Sequence, residues 1–116
     1  MQKYILDSSA IIALIKNEKG ADIVKSNLKG AIMSSVNFSE VVAVLSRKMP
    51  IEVILQVLTP LISEVIAFDE RQAIEAGILY QETHQFGLSL GDRACLALAK
   101  IKGLPVLEKS KMECNA

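Results

Sequence analysis

Tyr4-Ile5-Leu6-Asp7-Ser8-Ser9-Ala10-Ile11-Ile12 opens the chain, and the reading of this stretch decides the fold. Residues 2–6 read as a short strand, whose apolar stretch stops at Asp7. From Ser8 to Ile15 the apolar residues Ile11, Ile12, Leu14 and Ile15 recur at helical spacing. A strand that runs straight into a helix is the first half of a crossover unit, in which the next strand returns parallel to the first.

The same unit recurs downstream. Ala21 to Leu28 predicts a second helix, ended by Gly30, and Ala31-Ile32-Met33-Ser34 a second strand. Val36 to Arg47 predicts a helix with Phe38, Val41, Val42 and Leu45 as its apolar positions. Pro50 suits the first turn of another, reaching Leu58. Glu64 to Phe68 predicts a third strand. Asp69 caps a longer helix whose Ala73, Ile74, Gly77, Ile78 and Tyr80 are spaced for one face. Ser89 to Lys102 predicts a last helix, and Pro105-Val106-Leu107 begins a last strand. Strands alternating with helices imply an α/β fold, with a short parallel sheet of about four strands between helical layers.

A chain of 116 residues fits a single domain over 1–116. Hydrophobic residues make up 51% and mean hydropathy is +0.35, ample for a core with some left to cover a partner surface. The apolar segment Ile51 to Ile62 is the candidate for such a surface, in a homodimer or a groove for a partner helix; the alternative is the chain's own core. Thirteen basic and 13 acidic side chains balance to zero, which argues against a strongly basic nucleic-acid clamp. Arg47, Lys48, Arg71 and Arg93 are candidate phosphate contacts, with surface ion pairing as the alternative. Cys95 and Cys114 form no metal or disulfide spacing, and Cys95 falls in an apolar helical run as a buried thiol. Neither a signal peptide nor a membrane span is expected, and a reduced, cytoplasmic setting fits.

Ligands of parallel sheets bind at the carboxyl ends of the strands. Three acids fall there: Asp7 directly after strand one, Glu40 six residues after strand two, and Asp92 at the start of the last long helix. Each also fits a structural role. Asp7 can cap the Ser8 helix, while Asn37-Phe38-Ser39-Glu40 and Ser89-Leu90-Gly91-Asp92 have capping-box form. Three carboxylates at one sheet edge would repel one another unless a hard divalent cation neutralised them. His84, the single histidine, lies in the polar stretch Gln81-Glu82-Thr83-His84-Gln85 and is expected to face solvent.

Tyr4-Ile5-Leu6-Asp7-Ser8-Ser9-Ala10 resembles the opening of PIN-domain proteins. Asn37-Phe38-Ser39-Glu40-Val41 resembles their second motif. Gly87-Leu88-Ser89-Leu90-Gly91-Asp92-Arg93-Ala94-Cys95-Leu96-Ala97 resembles the third nearly throughout. Ala67-Phe68-Asp69, with Ala73 and Ala76, fits the segment between, so the similarity runs from residue 2 to about 107. The resemblance implies a PIN-like three-layer α/β/α fold and a metal-dependent endoribonuclease, the VapC-like toxin of a type II toxin–antitoxin pair. It makes Asp7, Glu40 and Asp92 the catalytic acids and ligands of one or two Mg²⁺ or Mn²⁺ ions, with Ser8 as a supporting hydrogen-bonding group. Water activated at the metal would attack an RNA phosphodiester. The resemblance further implies a homodimer and a cognate antitoxin protein.

The chain departs from that family after its last strand. There the family commonly carries a Thr and, two residues later, a fourth Asp; here Glu108 and Ser110 hold those places in Leu107-Glu108-Lys109-Ser110-Lys111. Truncation or a frameshift, replacement of the lost ligand by Glu108 or Glu113, and a degenerate toxin that binds its antitoxin without cleaving all fit the tail. Two rival functions stand beside the nuclease. A phosphoryl-transfer domain with Asp7 as acceptor is disfavoured, because Ser9 stands where an Asp-x-Asp pair needs its second acid. A PIN-like module that only binds an antitoxin or itself is the other.

Overall fold

The structure, a computed structural model, describes residues 2–107; the expectations for Glu108, Ser110, Glu113 and Cys114 lie outside the described residues. In chain order run β1 (Ile5–Leu6), α1 (Ser8–Ile15), α2 (Ala21–Ser26), β2 (Ile32–Ser34), α3 (Ser35–Leu45), α4 (Ile51–Leu58), β3 (Glu64–Ile66), α5 (Glu70–Thr83), α6 (Leu90–Lys102) and β4 (Val106–Leu107). A single 3-10 turn, His84–Phe86, joins α5 to α6. The strands form one sheet in the order β3-β2-β1-β4, and every pairing is parallel. Ile5 stands between Ile32 and Val106, at the centre of the sheet.

Strand side chains alternate between the two faces, and the alternation divides the core. Leu6, Met33 and Leu107 point to one side and pack with Ala10, Ile11, Val24, Val41, Leu45, Ile54 and Leu58 from α1 to α4. Ile5, Ile32, Ile66 and Val106 point to the other, onto Cys95 and Leu98 of α6. Leu98 is fully buried, and burial of a side chain of this kind contributes about 1.5–3 kcal/mol. α5 lies outside, against α6. The result is the expected three-layer α/β/α arrangement.

Three local expectations are corrected. α3 starts at Ser35, not Val36, because Ser34 is its N-cap: the Ser34 hydroxyl accepts from the Val36 amide at 3.2 Å. Glu40 therefore sits in the second turn of α3, and Asn37-Phe38-Ser39-Glu40 is not a capping box. On α5, the stripe of Ala73, Ile74, Gly77 and Ile78 faces outward; the buried residues are Gln72 and Ala76. The cause is the partner. The side of α5 that meets α6 carries Ala76, whose carbonyl accepts from Arg93 of α6. On α4, Ile54 and Leu58 belong to the chain's own core along with Ile62, leaving Ile51, Val53 and Leu55 exposed.

The helix ends follow local chemistry. Asp69 caps α5 by accepting from the Gln72 amide at 2.9 Å, as expected. Gly103, at φ 67°, ends α6 in the left-handed conformation that glycine adopts without a side-chain clash. His84 is exposed; its Nδ1 lies 3.1 Å from the Tyr80 carbonyl oxygen, and its ring stacks on Tyr80 at 5.4 Å between centroids. Among the described residues, no helix is long and apolar enough to cross a membrane.

Candidate active site

In the order β3-β2-β1-β4 the chain builds leftward from β1 and then returns to add β4 on the right. The crevice at the carboxyl ends of β1 and β4 is thus the topological switch point, where such sheets bind ligands. Asp7 stands there. Its backbone is extended, with φ −80° and ψ 153°, as an N-cap requires. Its Oδ2 accepts from the Ser9 amide at 3.3 Å and the Ser9 hydroxyl at 2.7 Å. Asp7 is 8% exposed. With Asp92 it lines a cavity of about 140 Å³ whose other walls are Leu88, Cys95, Leu96 and Val106.

Asp92 performs the cap expected of it. The Ser89 hydroxyl accepts from the Asp92 amide at 3.1 Å, and Asp92 Oδ2 accepts from the Ser89 amide at 3.0 Å. The cap and the cavity are not exclusive, because the reciprocal bond uses one carboxylate oxygen only.

Glu40, on α3, reaches the same neighbourhood through Ser8 of α1 and Gly91 of α6. Its Oε1 accepts from the Ser8 hydroxyl at 3.1 Å and from Asn37 Nδ2 at 3.1 Å. The same Asn37 amide group donates to the Gly91 carbonyl at 3.0 Å. Glu40 thus touches the residue after Asp7 and lies against the residue before Asp92. It also lines a wider, open groove with Ser35, Val36, Ser39, Ser89, Leu90 and Gly91. Ser8, expected as a supporting hydrogen-bonding group, donates its hydroxyl to Glu40. Asn37 and Gly91 were not singled out as functional from sequence. The available signal was an Asn placed i, i+3 from the acid, on the same helix face.

All three acids offer hard oxygen donors. In each, one oxygen takes the bonds named above and the other takes none from the described residues. That donor set fits a Mg²⁺- or Mn²⁺-class ion in kind. Among the described residues, however, no three acid, His or Cys side chains are grouped to hold one ion in their present positions.

The family profile of the PIN domain matches residues 4–110. The chain belongs to the PIN-domain family. Its sequence relatives place it with the VapC-like members. It is 32% identical over 114 residues to a VapC ribonuclease of Mycobacterium bovis, covering 89% of this chain and 87% of that protein. The same figures hold for ribonuclease VapC42 of Mycobacterium tuberculosis. Two solved structures share the fold. A toxin–antitoxin complex from Klebsiella pneumoniae matches with TM-score 0.72 and 20% identity, over 89% of this chain and 82% of that one. DNA-bound VapBC from Salmonella typhimurium matches with TM-score 0.72 and 23% identity, over 100% and 92%.

Membership of the PIN-domain family removes the phospho-acceptor reading of Asp7. The basic residues of this PIN domain are also sorted by position. Arg93 turns away from the acids: its Nη1 donates to the Ala76 carbonyl at 3.1 Å and its guanidinium lies 5.3 Å from the Tyr80 ring centroid, tying α6 to α5. Arg47 and Lys48 lie beyond the C-terminal end of α3, in a groove with Lys16, Ile15 and Met49. Arg71 is exposed on α5. Among the described residues, Lys100 and Glu75 form an ion pair at 3.0 Å, again between α6 and α5.

Proposed function

We propose that this PIN domain is a divalent-metal-dependent endoribonuclease, the toxin half of a toxin–antitoxin pair. The observation that carries the reading is the linkage Ser8–Glu40–Asn37–Gly91, which draws Glu40 to the neighbours of Asp7 and Asp92 at the switch point of the sheet. VapC ribonucleases among its sequence relatives support the activity, and toxin–antitoxin complexes among its structural neighbours support the pairing.

Asp7, Glu40 and Asp92 would hold Mg²⁺ or Mn²⁺ through their unengaged oxygens. When bound, such an ion lowers the pKa of water and stabilises charge on a phosphoryl oxygen. The protein's own groups do the positioning. The Ser9 hydroxyl and amide fix the rotation of Asp7, and the Ser89 amide fixes that of Asp92. The Ser8 hydroxyl and the Asn37 amide fix Glu40. Leu88, Leu96 and Val106 give the cavity apolar walls, which strengthen electrostatic interactions inside it. The cavity volume of about 140 Å³ suits a hydrated ion rather than a nucleotide, so RNA would present its backbone at the mouth.

RNA as substrate, a protein antitoxin and a second copy of the chain are the partners this reading requires. Exposed apolar side chains on α4 (Ile51, Leu55) and α5 (Ile74, Ile78) supply surface for the last two.

A second reading is a PIN domain that binds antitoxin or itself without cleaving. It is favoured by the capping bond of Asp92, by the lack of a closed acid cluster among the described residues, and by Ser110 in place of an acid. Incubation with single-stranded RNA and Mn²⁺ separates the two. The nuclease reading expects cleavage that EDTA abolishes and added Mn²⁺ restores. Intact RNA, together with tight binding of the antitoxin, would establish the second.

A further inference from the structure

We infer that Asn37 is a positioning residue for the proposed nuclease site: its one amide group sets the Glu40 carboxylate and locks the start of α6 to α3. The inference rests on the nuclease reading of the site and assigns a role to a residue outside the acid set.

Asn37 is fully buried in the first turn of α3, where nothing about helix formation calls for it, since Ser34 already caps that end. Asparagine is a poor helix former, and a buried amide must recover the hydrogen bonds it gives up to water. Asn37 recovers them unevenly. Nδ2 donates twice, to Glu40 Oε1 at 3.1 Å and to the Gly91 carbonyl at 3.0 Å, while Oδ1 is buried with no partner among the described residues. The orientation of the amide is settled by its partners. A carboxylate and a carbonyl only accept, so only the nitrogen can face them. The side chain therefore gives both of its donors to the site and leaves its acceptor unsatisfied.

The two bonds have different consequences. The bond to Glu40 joins that of Ser8 on the same oxygen, Oε1. Both donors on one oxygen hold the carboxylate in a single rotation and leave Oε2 as the free ligand. The bond to Gly91 spans 54 residues of sequence and fixes the backbone one residue before Asp92. Gly91 also receives Glu40 directly, since the carboxylate occupies the space a β-carbon would need. A single amide thus sets the relation between an acid of α3 and the helix that carries an acid of α6. Side chains that orient ligands in this way typically contribute about 10–100-fold in metal affinity or activity.

A purely structural Asn37 would tie α3 to α6 regardless of Glu40. A double-mutant cycle distinguishes the two roles. Mn²⁺ binding is titrated by the paramagnetic resonance signal of the free ion, on the wild type, Asn37→Leu, Asn37→Ala and Glu40→Ala. Both Asn37 variants are also made in the Glu40→Ala background. Leu keeps the volume of the side chain without its donors; Ala serves if Leu does not pack. Thermal denaturation of each protein confirms that it is folded. The expected result is a loss of about tenfold in Mn²⁺ affinity when Glu40 is present and less than about twofold when it is absent. In RNA cleavage, kcat falls while KM is unchanged, because the amide acts through Glu40 rather than on RNA. Equal losses in both backgrounds, or an unchanged affinity in either folded variant, would overturn the positioning role while leaving the nuclease intact. A wild type that neither binds Mn²⁺ nor cleaves RNA would instead sink the site reading, and the role of Asn37 with it.

Discussion

Glu40 Cδ lies 2.6 Å from the point where a β-carbon on Gly91 would stand. The two residues are therefore locked together: the carboxylate keeps its place only because residue 91 has no side chain. Gly91→Ala is expected to separate stability from activity. Ala is the better helix former by about 1 kcal/mol. The clash falls on the end of a flexible side chain, so Glu40 can swing aside. In doing so it gives up the bonds from Ser8 and Asn37, a loss of about 1 kcal/mol each. Melting temperature should move by only a few degrees, whereas RNA cleavage should fall by about tenfold or more. A variant with wild-type cleavage would show that the position of Glu40 does not matter to the reaction.

Asp92 carries an observed cap and a proposed metal-binding role, which a conservative substitution can part. Asn in its place still accepts from the Ser89 amide, so the capping box and α6 should survive. The negative oxygen offered to the cavity is lost. Asp92→Asn is expected to unfold within a few degrees of the wild type and to lose cleavage by about a hundredfold. Circular dichroism melts and RNA-cleavage rates in Mn²⁺ check the two halves. Strong cleavage by the wild type that Asp92→Asn leaves untouched would return Asp92 to the cap alone.

The sequence resemblance to PIN-domain proteins leads one to expect a fourth acid where this chain has Ser110. Affinity for a hard cation rises with the number and charge of its oxygen ligands. Weak cleavage by the present chain, and a gain of several-fold in both Mn²⁺ affinity and cleavage on Ser110→Asp, are expected. The comparison is a Mn²⁺ titration of cleavage by the two proteins; a flat response to the added acid would argue that Glu108 or another group already fills that role.

Two exposed apolar surfaces are available to the proposed self-association. Ile51 and Leu55 project from α4, Ile74 and Ile78 from α5. Charged pairs, Ile51→Lys with Leu55→Lys and Ile74→Lys with Ile78→Lys, should leave the fold intact because these side chains make little of the core. One pair is expected to turn a dimer into a monomer in light scattering, and the other to weaken antitoxin binding. A dimer indifferent to both pairs would place the interface elsewhere.

Much of this architecture was legible in short windows of sequence. The apolar run before Asp7 and the helical stripe after it specify a strand and a helix through side-chain period alone. Asp69 and Ser89 mark helix starts through bonds to residues three positions away. The alternation of such units leads to a parallel sheet, because only a crossover helix can return the chain in the same direction. Asp7 was visible for the same reason, as the break in an apolar run at the end of a predicted strand, and Glu40 and Asp92 as acids near the starts of predicted helices.

Where periodicity says only that a face exists, it cannot say what covers it. On α5 the apolar stripe of Ile74 and Ile78 was spaced as convincingly as any core face, yet the buried side is Gln72 and Ala76. The choice was made by the docking of α5 on α6, where Arg93 bonds the Ala76 carbonyl and Lys100 pairs with Glu75. On α3 the Ser34 cap is a local bond from the Val36 amide, whereas the place of the Glu40 carboxylate depends on the distant Ser8 and Gly91. The sequence by itself determined the elements, their order and the acids at their ends, since each depends on residues a few positions apart. Tertiary structure alone decided that Asn37 meets Gly91 across 54 residues, that both donors fall on Glu40 Oε1 and Gly91 rather than on solvent, and that Arg93 serves α5 instead of a phosphate. Those contacts depend on which distant segments the packed core brings together, and no local pattern in either segment encodes its partner.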